Sequence, residues 1–212
     1  MNNVKWYNEQ KILRTIKSLE NNNMNGYFVK DHNELINKIK ELVPAGSKVA
    51  FGGSMTLFET KVMDFLKSQD YNLLDRNKPG LTQEEVKKIY KEAFLSDVYF
   101  TSSNAVTEDG ELYNVDGNGN RVAAMIYGPE KVIVICGVNK IVTNVEEAIN
   151  RNRQVSAPIN AKRLNKETPC AKVGYCMECS SKDRICNSYT LIRKQMNKDR
   201  IHVIFLDDSL GY

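Results

Sequence analysis

TSSNAVTEDGELYNVDGNGNRV, residues 101–122, lies between two apolar runs, VYFT at 98–101 and KVIVIC at 131–136. The second run is apolar without interruption after its lysine, the pattern of a central strand buried on both faces. The stretch between them is polar and turn-rich, with Asn104, Glu108, Asp109, Asp116 and three glycines in 22 residues. Taken alone it reads equally as a surface hairpin with Asp-Gly turns or as a functional insert, because polar loops on a rigid apolar scaffold carry much of binding and catalysis. Residues 111–115 form one arm of the hairpin in either reading, 116–120 a tight glycine loop and 121–127 a short helix that Gly128-Pro129 stops.

Outward from this stretch, strand and helix signals alternate. An N-terminal helix within residues 1–24 places Trp6, Ile12, Leu13, Ile16 and Leu19 at helical spacing. A strand at 27–29 leads to an Asp31-capped helix over 33–42, and a strand at 48–51 to a helix from Thr56 to about residue 68, with Thr56 and Glu59 at capping-box spacing. Residues 72–74 read as a strand and 82–94 as a capped helix. Beyond the central strand, Thr143 and Glu146 head a helix to about 154, Pro158 starts another to 164, and 201–206 is a last strand. The alternation predicts an α/β fold, a twisted, mostly parallel sheet with helices on both faces, in one domain spanning 1–212.

The composition excludes several classes. Hydrophobic and charged contents of 42% and 26% are ordinary for a globular chain, and no apolar run is long enough to span a bilayer. The first residues lack an apolar signal region, so a cytoplasmic location and no membrane partner are expected. A net charge of +4 spread among 26 acids argues against nucleic acid and suits a small anionic substrate. A homo-oligomer is left open.

Ligands of open α/β sheets bind at the carboxyl ends of the strands. The loops that follow strands directly are 52–56, 102–109 and 137–140, with 116–120 returning beside the second. Gly52-Gly53-Ser54-Met55-Thr56 joins a strand to a helix start, so it is either an anion cradle or an empty tight turn. Asn104, Asn118, Asn120 and Lys140 are further candidate ligand-binding residues, and Glu108 and Asp116 the candidate proton acceptors. His202 reads as a packed strand residue and Cys136 as core. No Ser-His-Asp order, Walker loop or dinucleotide fingerprint is present.

The remaining cysteines, Cys170, Cys176, Cys179 and Cys186, crowd into residues 168–190 with the spacing C-x5-C-x2-C-x6-C. Such crowding points to a C-terminal metal-binding segment: four thiolates complete one [4Fe–4S] cluster or, alternatively, one zinc site. Only Cys176 and Cys179 form the close pair usual for zinc, and the wider gaps suit a cluster. Free thiols, or a staple pinning the last strand, are the plainer readings.

FGGSMTLFE (51–59), residues 101–142 and CAKVGYCMECSSKDRICN (170–187) resemble the LUD domain family, named for lactate utilisation, in its LutC-like branch. The resemblance covers nearly the whole chain. It implies a fold like that of ribose-5-phosphate isomerase and the CoA-transferases, with Gly52, Gly53, Ser54 and Thr56 as a phosphate or carboxylate cradle. It also implies a part in oxidising L-lactate to pyruvate beside iron–sulfur partner proteins. No catalytic role transfers by motif. Three functions follow as expectations: an oxidoreductase component for small 2-hydroxy acids carrying an iron–sulfur cluster, an isomerase or transferase with structural zinc, and a non-catalytic binding or regulatory module.

Overall fold

The computed structural model describes residues 3–212. The chain opens with α1 (Asn3–Asn21), so residues 1 and 2 of the N-terminal helix expected within 1–24 lie outside the described residues. It then alternates through β1 (Asn25–Val29), α2 (His32–Leu42), β2 (Lys48–Phe51), α3 (Met55–Glu59), α4 (Val62–Ser68), β3 (Asn72–Leu74), α5 (Gln83–Glu92) and β4 (Val98–Thr101). Next come β5 (Ala105–Thr107), β6 (Leu112–Asp116), α6 (Asn120–Ile126), β7 (Lys131–Gly137) and β8 (Ile141–Val142). The last elements are α7 (Val145–Arg151), α8 (Ala157–Arg163), α9 (Pro169–Val173), β9 (Ser188–Ile192) and β10 (Ile201–Leu206).

Six strands form one sheet in the order β1-β10-β7-β4-β2-β3, every pair parallel. The unbroken apolar run of β7 is explained by its place between β10 and β4, where both faces are covered. Val132, Val134 and Cys136 point to one side, where Ile12 and Leu19 of α1 and Ala124 and Met125 of α6 pack. Ile133 and Ile135 point to the other, against Leu35 and Ile39 of α2 and Leu57, Val62 and Leu66 of α3 and α4. Each such side chain contributes about 1.5–3 kcal/mol by burial, and Ile133→Ala would cost about 2–5 kcal/mol.

A second sheet, β8-β5-β6-β9, lies on the α1 side, with Val106, Leu112, Ile141 and Ile192 in the same core cluster as α1. The sequence signalled only its β5–β6 hairpin. Its β9 strand, SYTLI, pairs antiparallel with β6, which sets Ser188 opposite Asp116 and brings the cysteine segment onto the 101–122 stretch.

Several boundaries differ from the sequence expectation. Ser54, not Thr56, caps α3, accepting the Leu57 N–H at 3.3 Å. The helix expected to 68 breaks at Lys61, in the left-handed region at φ 53°, and resumes as α4. Asn144, not Thr143, caps α7, and Glu147 accepts the Thr143 N–H. The two helices expected around Pro158 are one helical run over 145–163, joined by a π-helical turn at 152–156. Proline has no N–H for the carbonyl four residues back and its ring collides with that carbonyl, so the widened turn accommodates it; Ala157 N–H reaches Asn152 O instead. On α1 the buried side is Ile12, Thr15 and Leu19, whereas Trp6 and Leu13 face solvent. Among the described residues no helix is long and apolar enough to cross a membrane.

Candidate functional site

β2, β4 and β7 are parallel and ordered β7-β4-β2, so the loops leaving their carboxyl ends, at 52–54, 102–104 and 138–140, emerge together. From β2 the chain goes on to β3 at the sheet edge, and from β4 toward β7 on the opposite side. That reversal is a topological switch point, where open α/β sheets form a crevice. A cavity of about 510 Å³ opens there.

Seven basic and two acidic side chains line this cavity. Lys140 is the most buried of these charged side chains, at 3 % exposure, with Nζ donating to Thr56 Oγ1 and Ser102 Oγ, both at 2.9 Å. Among the described residues no carboxylate stands within ion-pair distance of it. Burial pushes its ammonium down to about 8; Cys136 and, more weakly, the carboxylate of Glu59 oppose the shift, and Arg151 and Arg121 add to it. Arg121 is fixed by five oxygen acceptors, the carbonyls of Ser102 and Val115, Asn114 Oδ1, Asn104 Oδ1 and Asp116 Oδ2 at 3.5 Å from Nε, and by Met125 Sδ at 3.6 Å. Arg151 donates to the carbonyls of Asn139 and Asn104 and to Ser156 Oγ. Three cations therefore surround the 102–104 loop, and among the described residues Asp116 is the only carboxylate bonded to any of them.

The residues expected from sequence are divided by the fold. Gly53, Ser54, Asn104, Asn118, Asn120, Lys140 and Asp116 line the cavity. Gly52 is buried behind it, where a Cβ would come within 3.0 Å of the Arg121 side chain and the Tyr99 hydroxyl. Thr56 is fully buried and touches the site through Lys140. Helix α3 has only five residues, so the cradle's positive character comes from side chains and not from a helix end. Asp116 is occupied as a turn residue, with Oδ1 accepting the N–H groups of Asn118 and Gly119 at 3.1 Å. Glu108 stands elsewhere, ion-paired with Arg14 of α1 at 3.0 Å, and does not line the cavity.

Sequence reasoning missed Arg121, Arg151 and the outer cations Arg76, Arg163, Lys166, Lys182 and Arg184. Arg121 had a signal, as the one cation within the acidic stretch 101–122. The others are scattered through four segments and meet only in three dimensions. Residues 208–211 also cross the site: Gly211 N–H donates to Glu59 at 2.6 Å, Leu210 N–H to Asn139 Oδ1 at 3.1 Å and Val138 N–H to Asp208 O at 3.1 Å.

Cys170, Cys176, Cys179 and Cys186 line a second cavity, of about 240 Å³, with Ile149, Met177, Ile185 and Tyr189 among its walls. All four thiols are free. Burial, with the neighbouring Cys176 and Cys170, pushes the Cys186 thiol up to about 11. The Glu178 N–H points at Cys176 Sγ, 3.4 Å away, and Thr168 Oγ1 lies 3.3 Å from Cys170 Sγ. Among the described residues no three His, Cys, Asp or Glu side chains are grouped as a single metal ion requires. A zinc ion bound at about 2.3 Å draws its sulfurs together, whereas the thiolates of a four-iron cluster each bind a different iron and stand farther apart. Four thiols on one cavity supply the donor set that either group would use.

His202 is packed as expected, stacked on Tyr27 and bonded to its hydroxyl at 3.0 Å.

A family model described as LUD domain matches residues 12–206. A crystal structure of a DUF162 family protein from Deinococcus radiodurans superimposes with a TM-score of 0.53 at 13% identity, covering 94% of this chain and 98% of that one; at that identity the likeness shows the fold. No curated protein matches.

Proposed function

This chain belongs to the LUD domain family, and we propose that it is a component of small 2-hydroxy acid oxidation in the cytoplasm, binding the acid or its 2-oxo acid product by the carboxylate at the ends of β2, β4 and β7. The observation that carries this reading is the Lys140 ammonium, buried to 3 % exposure without a carboxylate partner and flanked by Arg121 and Arg151. A lone buried charge costs several kcal/mol, and an anionic ligand offsets that cost. Ser102 and Thr56 orient the amine, while Ser54 and Asn118 at the cavity wall are placed to bond the ligand's hydroxyl or oxo oxygen. The family theme supplies the substrate class.

In this reading Cys170, Cys176, Cys179 and Cys186 hold a [4Fe–4S] cluster, supported by their lining one cavity of about 240 Å³ and by the Glu178 N–H and Thr168 hydroxyl beside two of the sulfurs. When bound, such a group supplies one-electron transfer to iron–sulfur partner proteins. Two measurements test the reading: iron and acid-labile sulfide in anaerobically isolated protein, and calorimetric titration with lactate and pyruvate. About four irons and four sulfides per chain with saturable acid binding are expected. Stoichiometric zinc with no iron would remove the redox part, and no binding of either acid would remove the ligand.

One observation favours a second reading, an isomerase- or transferase-like enzyme with structural zinc. The seven cations and roughly 510 Å³ exceed what a three-carbon acid fills and suit a phosphorylated ligand. Competition by a sugar phosphate at far lower concentration than lactate would favour it.

A further inference from the structure

We propose that Lys140 acts as a nucleophile, its amine forming a reversible imine with the carbonyl carbon of a 2-oxo acid held in the cationic cavity. This rests on the reading of that cavity as a carboxylate site and adds to it a covalent step.

Three features of the geometry lead there. The first is redundancy of charge: Arg121, Arg76, Arg163 and Arg184 already bring permanent cations to the cavity wall. A further cation for carboxylate binding alone would be met as well by another arginine, which cannot be deprotonated. The second is the partner set. Among the described residues Lys140 is bonded to two hydroxyls, Thr56 Oγ1 and Ser102 Oγ, at 2.9 Å each, and to no carboxylate. An acid partner would hold the proton on the amine; hydroxyls accept from the ammonium and donate to the free amine equally well. With its proton affinity lowered to about 8 by burial, roughly a tenth of the side chain carries a free electron pair at pH 7. The third is position. Lys11 is also lowered by burial, yet its Nζ donates to the Ile141 carbonyl at 2.6 Å and does not line the cavity. Lys140 does line it, and among the described residues it is the one lysine this deeply buried.

The step balances without an oxidant or reductant. The amine electron pair attacks the carbonyl carbon of the 2-oxo acid, and the carbonyl oxygen takes up a proton from solvent, giving a carbinolamine still protonated on nitrogen. Ser102 and Thr56 carry the proton from nitrogen to the departing hydroxyl, one water leaves, and a protonated C=N bond remains. Hydrolysis reverses the sequence and returns the acid and the amine. A 2-hydroxy acid has no carbonyl and cannot react, so the site would distinguish the oxidised from the reduced member of the pair covalently.

The test is reductive trapping. The full-length protein is incubated with pyruvate and sodium cyanoborohydride at pH 8, and its intact mass and tryptic peptides are analysed by mass spectrometry; lactate replaces pyruvate in the control. One adduct per chain, mapped to Lys140, is expected, with a trapping rate that rises from pH 6.5 to 8.5. Lys140→Arg should lose the adduct, with its fold checked by circular dichroism. If that variant does not fold, the wild-type peptide map decides. Pyruvate binding by calorimetry with no adduct, or an adduct spread over exposed lysines as in the urea-unfolded chain, overturns the imine and leaves the carboxylate site standing. No pyruvate binding at all overturns both.

Discussion

The cationic cavity and the cysteine cavity share Arg184 and Ile185 as a common wall, yet they are built in opposite ways. The first is rooted in regular structure: Lys140, Arg121 and Arg151 are anchored by hydrogen bonds to the ends of buried strands and to helix residues. The second is set mostly in an irregular segment, 174–187, between α9 and β9. There Arg184 ties the backbone, donating to the carbonyls of Cys179 at 2.5 Å and Cys186 at 2.8 Å. The contrast separates a site whose charges are held at strand ends from one held by side-chain ties within an irregular segment, where a bound group adds most to order.

The largest effect expected from this contrast is on stability in the cationic cavity. Arg121→Ala removes the partner of Asp116 and withdraws a donor from the carbonyls of Ser102 and Val115, so urea unfolding should show a loss of about 3–5 kcal/mol. A loss under about 1 kcal/mol would mean that the guanidinium is not fixed by the strand ends.

Lys140→Met should act in the other direction. The folded chain binds the lysine proton less tightly than the unfolded chain, since the amine sits near 8 in the first and at its ordinary value of 10.5 in the second. Below pH 8 both forms are charged and the penalty is full; between about 8 and 10.5 the unfolded chain holds more protons, so wild-type stability rises with pH. Lys140→Met is thus expected to exceed wild type by up to about 3 kcal/mol at pH 7, an advantage that vanishes above pH 10.5. A difference independent of pH would break the assignment of a strained buried charge.

An anion should offset the same penalty. Pyruvate at a hundredfold excess over its dissociation constant should raise wild-type stability by about 2.7 kcal/mol, and Lys140→Met should lose most of that gain. The smallest stability effect belongs to the cysteine cavity. Cys179→Ser, in a half-buried position of the irregular segment, should change the stability of metal-free protein by less than about 0.5 kcal/mol, while abolishing iron retention and leaving pyruvate affinity unchanged. A large loss of pyruvate affinity would show that the shared wall at Arg184 couples the two cavities.

Much of the scaffold was legible because its signals are local. The alternation of apolar strands with capped helices gave the parallel sheet, and Asp31 and Thr82 cap α2 and α5 as their spacing indicates. The glycine turn after β2 and the loop after β4 were placed at one cavity by a rule about strand ends, which needs no side-chain detail. Glu108 was misplaced for the same reason: the rule reaches a whole loop, and the fold turns the far end of this one toward Arg14 on α1. The outer cations were invisible because single basic residues in loops carry no periodicity.

By itself the sequence determined the family, the α/β class, the strand-end location of a polar site and the four-cysteine constellation, since each rests on residues close together in the chain or on a pattern repeated along it. Tertiary structure alone decided that Lys140 meets Thr56 and Ser102, that Arg121 belongs to the site, and that the cysteine segment packs beside the 101–122 stretch through the pairing of β6 with β9. Those contacts join residues 38 to 84 positions apart for the lysine, and more than 70 apart for the paired strands. Nothing local fixes such pairs. They are selected by the burial of both sheet faces and by the requirement that every buried polar group find a partner.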